Sequence, residues 1–372
     1  MHDRHSQHED VPLAIITDPI VEARDLVATI LDEDDRRDYI DISRSLEHSR
    51  EALGDYVTLD IPHISEIHHL KTSVRRYFRD SSLRRPLNLM LNADAGSGKS
   101  HFVESLARKM PQLVDSYVTF NMANLETVHD LVPALDEARN RKAEDLLPLL
   151  FLDEFDSHLD RIPLLLPLLW DGELHLAGRR LKLGRAVIVL AASDPRVQEH
   201  AAKAWRADEK RDSEAGKLVD VFSRINAGII TIPDMDEVKK SKDPVKHRDR
   251  RVDKICIAVA LLLNRFPSVA LIPRPLLAYI GLTKFRYAVR SIAHLVDSLE
   301  AIDPKSDTLP LEAARFLQEP AALVESGMAY HLHPSEKSQA LSDHAREAVD
   351  AWQACTELQG TVRLKGGVYG AL

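Results

Sequence analysis

The stretch PLNLMLNADAGSGKSHFVESL, Pro86–Leu106, decides the fold that we predict for this chain. Its apolar run Leu87–Leu91 has the length and composition of a buried strand, and a turn rich in glycine and serine follows it. An amphipathic helix carrying Phe102, Val103 and Leu106 begins directly after the turn. A strand, a loop and a helix in this order are typical of a phosphate-binding unit.

The turn itself, GSGKS at Gly96–Ser100, reproduces the second half of the phosphate-binding pattern G-x-x-x-x-G-K-[ST]. In that pattern, glycines let backbone N–H groups surround phosphate oxygens, and the helix N-terminus adds further donors. We expect Lys99 to reach the β- and γ-phosphates and Ser100 to bind Mg²⁺. Ala93 replaces the first glycine of the pattern, and its small side chain predicts a tolerated variant, with a tightened or distorted loop entrance as the alternative. The alternative for the whole motif is a serine- and glycine-rich loop that binds no ligand.

A second motif, LLPLLFLDEF at Leu146–Phe155, is a continuous apolar run that ends in acidic residues. Such a run predicts a buried parallel strand whose carboxyl end meets a ligand. Because this strand comes after a GSGKS loop in the sequence, its two terminal acids are predicted to act on a nucleotide. Asp153 is favoured as the Mg²⁺ ligand and Glu154 as the base that polarises the attacking water. The alternative is that both acids cap a helix.

Composition limits the other possibilities. The 372 residues are 44% hydrophobic and 29% charged, with a formal net charge of −9 and a pI near 6.0. The acidic total gives no overall electrostatic reason to bind nucleic acid or an anionic membrane. Cys256 and Cys355 lack metal-ligand spacing, and no apolar run is long enough to span a bilayer. We therefore expect a cytoplasmic protein without a targeting segment.

Strands alternate with helices along the middle of the chain, which predicts an α/β fold with a three-layer parallel sheet. Further strands are predicted at Ser116–Asn121, Ala186–Ala192 and Gly228–Pro233, a hairpin at Gly172–Gly184, and helices at Ile64–Arg79, Glu126–Arg141, Pro163–Trp170, Arg196–Asp212, Ile255–Phe266, Arg274–Glu300 and Ser342–Glu357.

This pattern divides the chain into four predicted regions. They are an N-terminal helical extension (1–55), an α/β nucleotide-binding domain (56–238), a small all-α domain (239–300) and a mostly helical C-terminal extension (301–372). The basic stretch Val238–Lys254 is predicted to be a linker, with surface contact to nucleic acid as the weaker alternative.

With these motifs in place, the chain from about Ile61 to Asp297 resembles the AAA+ ATPases, and among them the Clp-type branch. WDGELHLAGRRLKLGRAVIVLAAS at Trp170–Ser193 is similar to that branch's hairpin and sensor 1 strand, and VFSRINAGIITIP at Val221–Pro233 to its arginine-finger segment. The resemblance implies a P-loop NTPase sheet followed by a small helical lid. It also implies ATP and Mg²⁺ as ligands and a homo-oligomer, with a hexamer expected.

The resemblance assigns roles by position. It implies that Ser193 orients the attacking water, that Arg224 reaches the γ-phosphate of a neighbouring subunit, and that Asn121 restrains the catalytic glutamate. KFRYAVRSIAHLV resembles the sensor 2 helix, with Arg290 as the sensor arginine and Arg286 as its rival. The nucleotide-binding loop would comprise Ala95, Gly96, Ser97, Gly98, Lys99, Ser100 and His101.

These residues also have structural interpretations. Ser193 could cap a helix, Arg224 could form a surface ion pair, and Arg290 could line an amphipathic helix with its aliphatic stem. Their joint order along the chain favours the functional assignment.

One interval departs from the Clp-type pattern. Met122–Ala134 contains neither an aromatic residue nor a glycine, although Clp-type unfoldases have an aromatic threading loop there.

We therefore expect an oligomeric ATPase that switches or remodels an unidentified protein partner, with no membrane partner. A scaffold with little turnover is a second hypothesis. A nucleic-acid-acting ATPase is the least favoured, and its support is the basic stretch together with Arg75, Arg76, Arg79, Arg84 and Arg85.

Overall fold

The computed structural model describes residues 28, 30–31, 39–41, 56–113, 117–141, 146–176, 179–194, 197, 219–239, 248–299, 305–310, 323 and 325–333. The described strands are β1 (Tyr39–Asp41), β2 (Leu87–Asn92), β3 (Val118–Asn121), β4 (Leu149–Asp153), β5 (Glu173–Leu176), β6 (Arg179–Lys182), β7 (Val187–Ala192), β8 (Gly228–Thr231), β9 (Val238–Lys239), β10 (Arg248–Asp249) and β11 (Leu271–Pro273). The described α-helices are α1 (Ile61–Arg79), α2 (Lys99–Lys109), α3 (Val132–Asn140), α4 (Leu166–Asp171), α5 (Arg250–Arg265), α6 (Arg274–Leu282) and α7 (Ala288–Asp297). Short 3-10 helices lie at Met122–Asn124, Val128–Leu131, Ile162–Leu165 and Met328–Tyr330.

The central sheet has the strand order β3-β4-β7-β2-β8, and every neighbouring pair in it is parallel. β2, which leads into the GSGKS loop, therefore lies between β7 and β8. Parallel strands place their carboxyl ends at one edge, so the loop after β2 and the acids after β4 share that edge. The predicted α/β fold with a P-loop NTPase sheet is confirmed.

Helices cover both faces of this sheet because the strands are apolar on both sides. One face packs against α1 and α2 through residues that include Leu89, Leu91, Phe151, Val189, Leu70, Phe102 and Leu106. The alternate strand residues pack in a second core on the other face, which includes Met90, Leu150, Leu152, Leu190, Leu131, Leu135 and Leu168. Alternate strand residues thus pack against helices on opposite faces, which gives the predicted three layers of helices, sheet and helices.

Helix α1 begins a turn earlier than predicted because Asp60 caps it. The Asp60 carboxylate accepts a hydrogen bond of 2.8 Å from the backbone N–H of His63, and Pro62 occupies the first turn. At the other end, the Arg185 guanidinium donates to the carbonyl oxygens of Phe78 and Asp80, both at 3.2 Å. A cation at this position offsets the partial negative charge of the helix C-terminus.

A fully buried asparagine fixes the amino end of β2. The side-chain amide of Asn88 donates to the carbonyl oxygens of Leu169, at 2.8 Å, and Arg224, at 2.9 Å. The Asn88 backbone N–H donates to the side chain of Asn226 at 2.7 Å. These bonds hold the segment that precedes β8 against the start of the central strand.

The chain forms two compact units. One contains the central sheet, the β5–β6 hairpin and the short segment Phe285–Ser291. In the other, β1 pairs antiparallel with β11, with Ile40 opposite Ile272, and the ammonium of buried Lys254 donates to the carbonyl of Thr283 at 2.8 Å.

The structure corrects three local predictions. Tyr39–Asp41 is a strand within the extension predicted to be helical, and β11 is a strand within the region predicted to be all-α. The predicted linker contains β9, β10 and the first turn of α5. The helix forms because Val252, Ile255 and Val259 recur at helical spacing and are buried. Charge content alone was a poor guide to this stretch, since Arg250 and Lys254 are also buried.

Several predictions lie outside the described residues. These are most of the N-terminal extension, all of the helix Arg196–Asp212 except Val197, the helix Ser342–Glu357, and the tail from Thr361 to Leu372. Among the helices that the structure does describe, none is long and apolar enough to cross a membrane.

We expect Asn88→Ala to lower the free energy of unfolding by about 2–4 kcal/mol, because it removes the hydrogen-bond donor of the Leu169 and Arg224 carbonyl groups and opens a small cavity. Urea denaturation measures this change. Thr119→Ala, at an exposed position on β3, should stay within about 0.5 kcal/mol of the wild type. Equal effects of the two substitutions would contradict the role given to Asn88.

Candidate functional site

The loop between β2 and α2 has the backbone shape of an anion cradle. Gly96 and Gly98 have positive φ angles of 82° and 97°, which side chains rarely tolerate. Gly98 is the N-cap of α2 and provides no side-chain hydrogen bond, so the first N–H groups of the helix are left for a ligand. Ala93 is absent from the described residues with positive φ, and this explains why alanine fits at the first position of the pattern.

Lys99 is the central charge of the site and is only 9% exposed. Its ammonium donates to the carbonyl of Ala93 and the hydroxyl of Ser193, each at 2.8 Å, and more weakly to the carbonyl of Asp94 at 3.4 Å. Burial lowers the pKa of Lys99, and nearby carboxylates offset part of this effect. The ammonium therefore connects the loop after β2 to the end of β7.

Asp153 and Glu154 lie at the carboxyl end of β4, as predicted. The Asp153 carboxylate accepts a 2.9 Å hydrogen bond from the backbone N–H of Glu154, and no described helix begins at either acid. Burial raises the pKa of Asp153, while this hydrogen bond and then the charge of Lys99 lower it. Glu154 is exposed and has a φ of 52°, a conformation that costs free energy for a residue with a side chain.

Asp156 is a member of the site that sequence reasoning missed. Its carboxylate accepts hydrogen bonds from the backbone N–H groups of Ser193, at 2.9 Å, and Asp194, at 2.5 Å. It therefore fixes the end of β7, and with it the hydroxyl that contacts Lys99. The only sequence signal was its place just after the Asp-Glu pair.

Asn121 lies directly beside Asp153, as its register partner on β3. Its side chain accepts a 2.8 Å hydrogen bond from the backbone N–H of Ala123 and so caps the following 3-10 helix. The structure thus places Asn121 at the edge of the site, where its side-chain amide oxygen accepts the hydrogen bond from Ala123.

The remaining loop residues differ in exposure. Ala95, Ser100 and His101 are exposed, whereas Ser97 is 5% exposed and its hydroxyl donates to the carbonyl of Asp94 at 2.7 Å. Among the residues that the structure describes, no group of three or more histidine, cysteine or acidic side chains forms a metal site by itself.

The segment Phe285–Ser291 lies against the loop. The backbone N–H of Arg290 donates to the carbonyl of Gly96 at 3.1 Å, and the Arg290 side chain is exposed. A Cβ atom on Gly96 would lie 2.4 Å from the carbonyl oxygen of Tyr287, so this position requires glycine for space as well as for φ. Arg286 is half-buried in the same segment.

Arg224 is separated from the loop. Its carbonyl is bound to Asn88 at the amino end of β2, while the loop follows Asn92. Four strand residues separate these positions by about 13 Å. The guanidinium carbon lies 5.5 Å from the centre of the Trp170 ring, and the group also donates to the carbonyl of Asp220. The structure therefore brings Lys99, Asp153, Glu154 and Ser193 together and leaves Arg224 apart.

No family model and no curated protein matches the chain. Similar solved structures include NtrX from Brucella abortus in complex with ADP, with a TM-score of 0.43 and 17% identity over 82% of this chain and 68% of that one. NtrX in complex with ATP gives a TM-score of 0.41 and 15% identity over 78% and 67% of the two chains. The Hsp104–ADP complex of S. cerevisiae gives 0.37 and 14% over 69% and 44%. At such scores the likeness carries no argument about function, and the fold rests on the strand order and loop described above.

The residues of the loop after β2 and of the carboxyl end of β4 fit a nucleoside triphosphate with Mg²⁺. Uncapped helix donors, two glycines in the left-handed region and a buried ammonium suit phosphate oxygens. The carboxylate of Asp153 and the hydroxyl of Ser100 are oxygen donors of the kind that Mg²⁺ prefers.

Asp153→Asn should stabilise the nucleotide-free protein at about pH 7, because burial raises the pKa of this carboxyl and its charged form penalises folding. The advantage should shrink as the pH falls and the folded wild type takes up the proton itself, and it should vanish in acid where the carboxyl is protonated in both the folded and the unfolded state. Urea denaturation at neutral pH and in acid measures the difference. Asp160→Asn, with a side chain that is 64% exposed, should show no such pH dependence. A variant that is less stable than wild type at both pH values would contradict the penalty.

Gly96→Ala should cost more stability than Gly184→Ala, because both positions have positive φ but only Gly96 faces the Tyr287 carbonyl. We expect about 1–2 kcal/mol for Gly184→Ala from backbone strain alone. The Gly96 variant should in addition lose binding of a fluorescent ATP analogue, whereas the Gly184 variant should retain it. Equal stability losses with intact binding in both would show that the close approach at Gly96 is unimportant.

Proposed function

We propose that this chain is an ATPase of the AAA+ class that binds ATP with Mg²⁺ at the loop Ala95–His101 and hydrolyses it to ADP and phosphate. It would act as a cytoplasmic homo-oligomer, with a hexamer expected, that switches or remodels a protein partner. The observation that carries the proposal is the buried ammonium of Lys99, held between the loop after β2 and Ser193 after β7, near Asp153 at the carboxyl end of β4.

Each residue has a chemical task in this proposal. The Lys99 ammonium leaves its carbonyl partners and neutralises charge on the β- and γ-phosphates. Ser193 and Glu154 position a water, whose oxygen attacks the γ-phosphorus while its proton passes to the Glu154 carboxylate and the bond to the β-phosphate oxygen breaks. Ser100 and Asp153 would hold Mg²⁺, which when bound neutralises charge on the phosphate oxygens.

The position of Arg224 supports catalysis between subunits. Phosphoryl transfer needs positive charge on the γ-phosphate oxygens in the transition state. Arg224 lies at the opposite end of β2 from the loop of its own chain, so it could serve only the site of another copy. Hydrolysis would then depend on assembly.

The Gly96 contact offers a route from the nucleotide to the second unit. Phe285–Ser291 packs with the sheet, while the residues before and after it in the chain belong to the other unit. A shift of the loop on hydrolysis would pull this segment through the Gly96 carbonyl. Arg290, or its rival Arg286, would sense the phosphates from here.

A mixing experiment tests the proposal. Arg224→Ala and Glu154→Gln should each lower the steady-state ATPase rate at least about a thousandfold, while ATP still binds. A one-to-one mixture should recover about a quarter of the wild-type rate, since random head-to-tail pairs place an intact Arg224 against an intact Glu154 in about that share of sites.

The matched control is Arg139→Ala, because Arg139 is exposed and forms a simple 3.0 Å ion pair with Asp136. It should keep the wild-type rate. No recovery in the mixture would refute catalysis between copies. ATP binding without turnover in the wild type, at any protein concentration, would favour the scaffold hypothesis.

A further inference from the structure

The turn after β4 is bound to the end of β7 by two successive residues. The backbone N–H of Phe155 donates to the carbonyl of Ala191 at 2.8 Å, and the Phe155 side chain is fully buried. The Oδ2 atom of Asp156 accepts hydrogen bonds from the backbone N–H groups of Ser193, at 2.9 Å, and Asp194, at 2.5 Å. The position of this turn relative to β7 is therefore fixed.

Glu154, which immediately precedes these two residues, has a strained backbone. Its φ of 52° lies in the left-handed region, where few residues with a side chain are found. Its N–H donates to the Asp153 carboxylate at 2.9 Å, and its carbonyl accepts from the N–H of Ser157 at 3.0 Å. Such a conformation persists only where the surrounding structure imposes it. The bonds on both sides of Glu154, and those that attach the next two residues to β7, impose it here.

The Ser193 hydroxyl has a partner that a nucleotide would remove. It accepts a 2.8 Å hydrogen bond from the Lys99 ammonium. Once the ammonium turns to phosphate oxygens, the Ser193 side chain must be held in place through its own backbone. Asp156 does this, because its two hydrogen bonds go to backbone N–H groups and leave the hydroxyl available for a water.

We propose that Asp156 is a positioning residue for hydrolysis, which fixes the backbones of Glu154 and Ser193 at one separation so that their side chains bind the same attacking water. This rests on the proposed function, since that water is the one that attacks the γ-phosphorus. Asp156 itself touches neither the water nor the nucleotide. Misplacement of a reacting group by about 1 Å can lower a rate by about a hundredfold.

Positioning can be separated from the effect of the negative charge. Burial lowers the pKa of Lys99, and Asp156 is one of the carboxylates that oppose this shift. Both hydrogen bonds of Asp156, however, end on the same oxygen. An asparagine can present its amide oxygen to both N–H groups without any charge, whereas a glutamate keeps the charge but places it one methylene further from the backbone.

The test compares three substitutions in the full-length chain. Asp156→Ala should lower kcat about 10- to 100-fold, while the dissociation constant of a fluorescent ADP analogue stays unchanged. Asp156→Asn should keep most of kcat because both hydrogen bonds remain. Asp156→Glu should lose more of kcat than Asp156→Asn, although its charge is intact. This order does not depend on the alanine variant, so it decides the question even if that variant folds poorly.

Hydrogen exchange gives a readout that needs no turnover. In the nucleotide-free chain, the peptide that contains Ser193 and Asp194 should exchange faster in the Asp156→Ala variant than in the wild type, and at the wild-type rate in Asp156→Asn. The matched control is Asp160→Ala, because the Asp160 side chain lies just beyond the same turn and is 64% exposed. It should change neither kcat nor the exchange rate.

A double-mutant cycle tests the route through Ser193. In a chain that carries Ser193→Ala, the further change Asp156→Ala should lower kcat less than it does in the wild type, because the position of a missing hydroxyl no longer matters. Losses that simply multiply would show that Asp156 acts independently of Ser193 and would overturn the proposal.

Three other outcomes would also overturn it. They are an unchanged kcat in Asp156→Ala, a kcat in Asp156→Asn as low as in Asp156→Ala, and a loss of ADP binding that parallels the loss of kcat. The second would assign Asp156 to charge, and the third to the general structure of the site. A wild type that binds ATP without hydrolysing it would remove the proposed function instead, and the exchange rates would still decide whether Asp156 holds Ser193.

Discussion

The hydrogen bonds of the Lys99 ammonium hold the site together. This cation donates both to the carbonyl of Ala93, which follows β2, and to the hydroxyl of Ser193, which follows the neighbouring strand β7. Its burial has a cost, which is visible as a lowered pKa and only partly offset by the surrounding carboxylates. A buried cation with carbonyl partners exchanges them readily for phosphate oxygens, which carry full charge. The environment of Lys99 therefore suits an anion, whose charge would offset the free-energy cost of desolvating the ammonium.

The direction of the strands explains why the other site residues meet there. All strands of the central sheet are parallel, so every loop that leaves a carboxyl end reaches the same edge. Asp153 and Ser193 arrive there on adjacent strands, and Asp156 locks the second to the first through two backbone N–H groups. The same rule sends the residues that precede the strands, among them Arg85 and Arg224, to the opposite edge.

The sequence predicted the parts of this arrangement that are local. β2 was predicted at Leu87–Leu91 and extends one residue further, and the glycine positions of the loop follow from a backbone requirement that any sequence must meet. It did not predict Asp156, whose partners lie more than thirty residues further along the chain, or Asn88, which is polar in a strand that reads as apolar. Both act through bonds to distant backbone groups, and local periodicity contains no information about those. The pairing of β1 with β11 was missed for the same reason.

Asn88 gives the two ends of the sheet a fixed relationship. It lies on the strand that precedes the loop and donates to the carbonyl of Arg224, so the backbone of Arg224 is tied to that strand. A buried amide with two carbonyl partners is costly to break, which makes the connection rigid. The spacing between the loop after β2 and the backbone of Arg224 is then a constant of the fold.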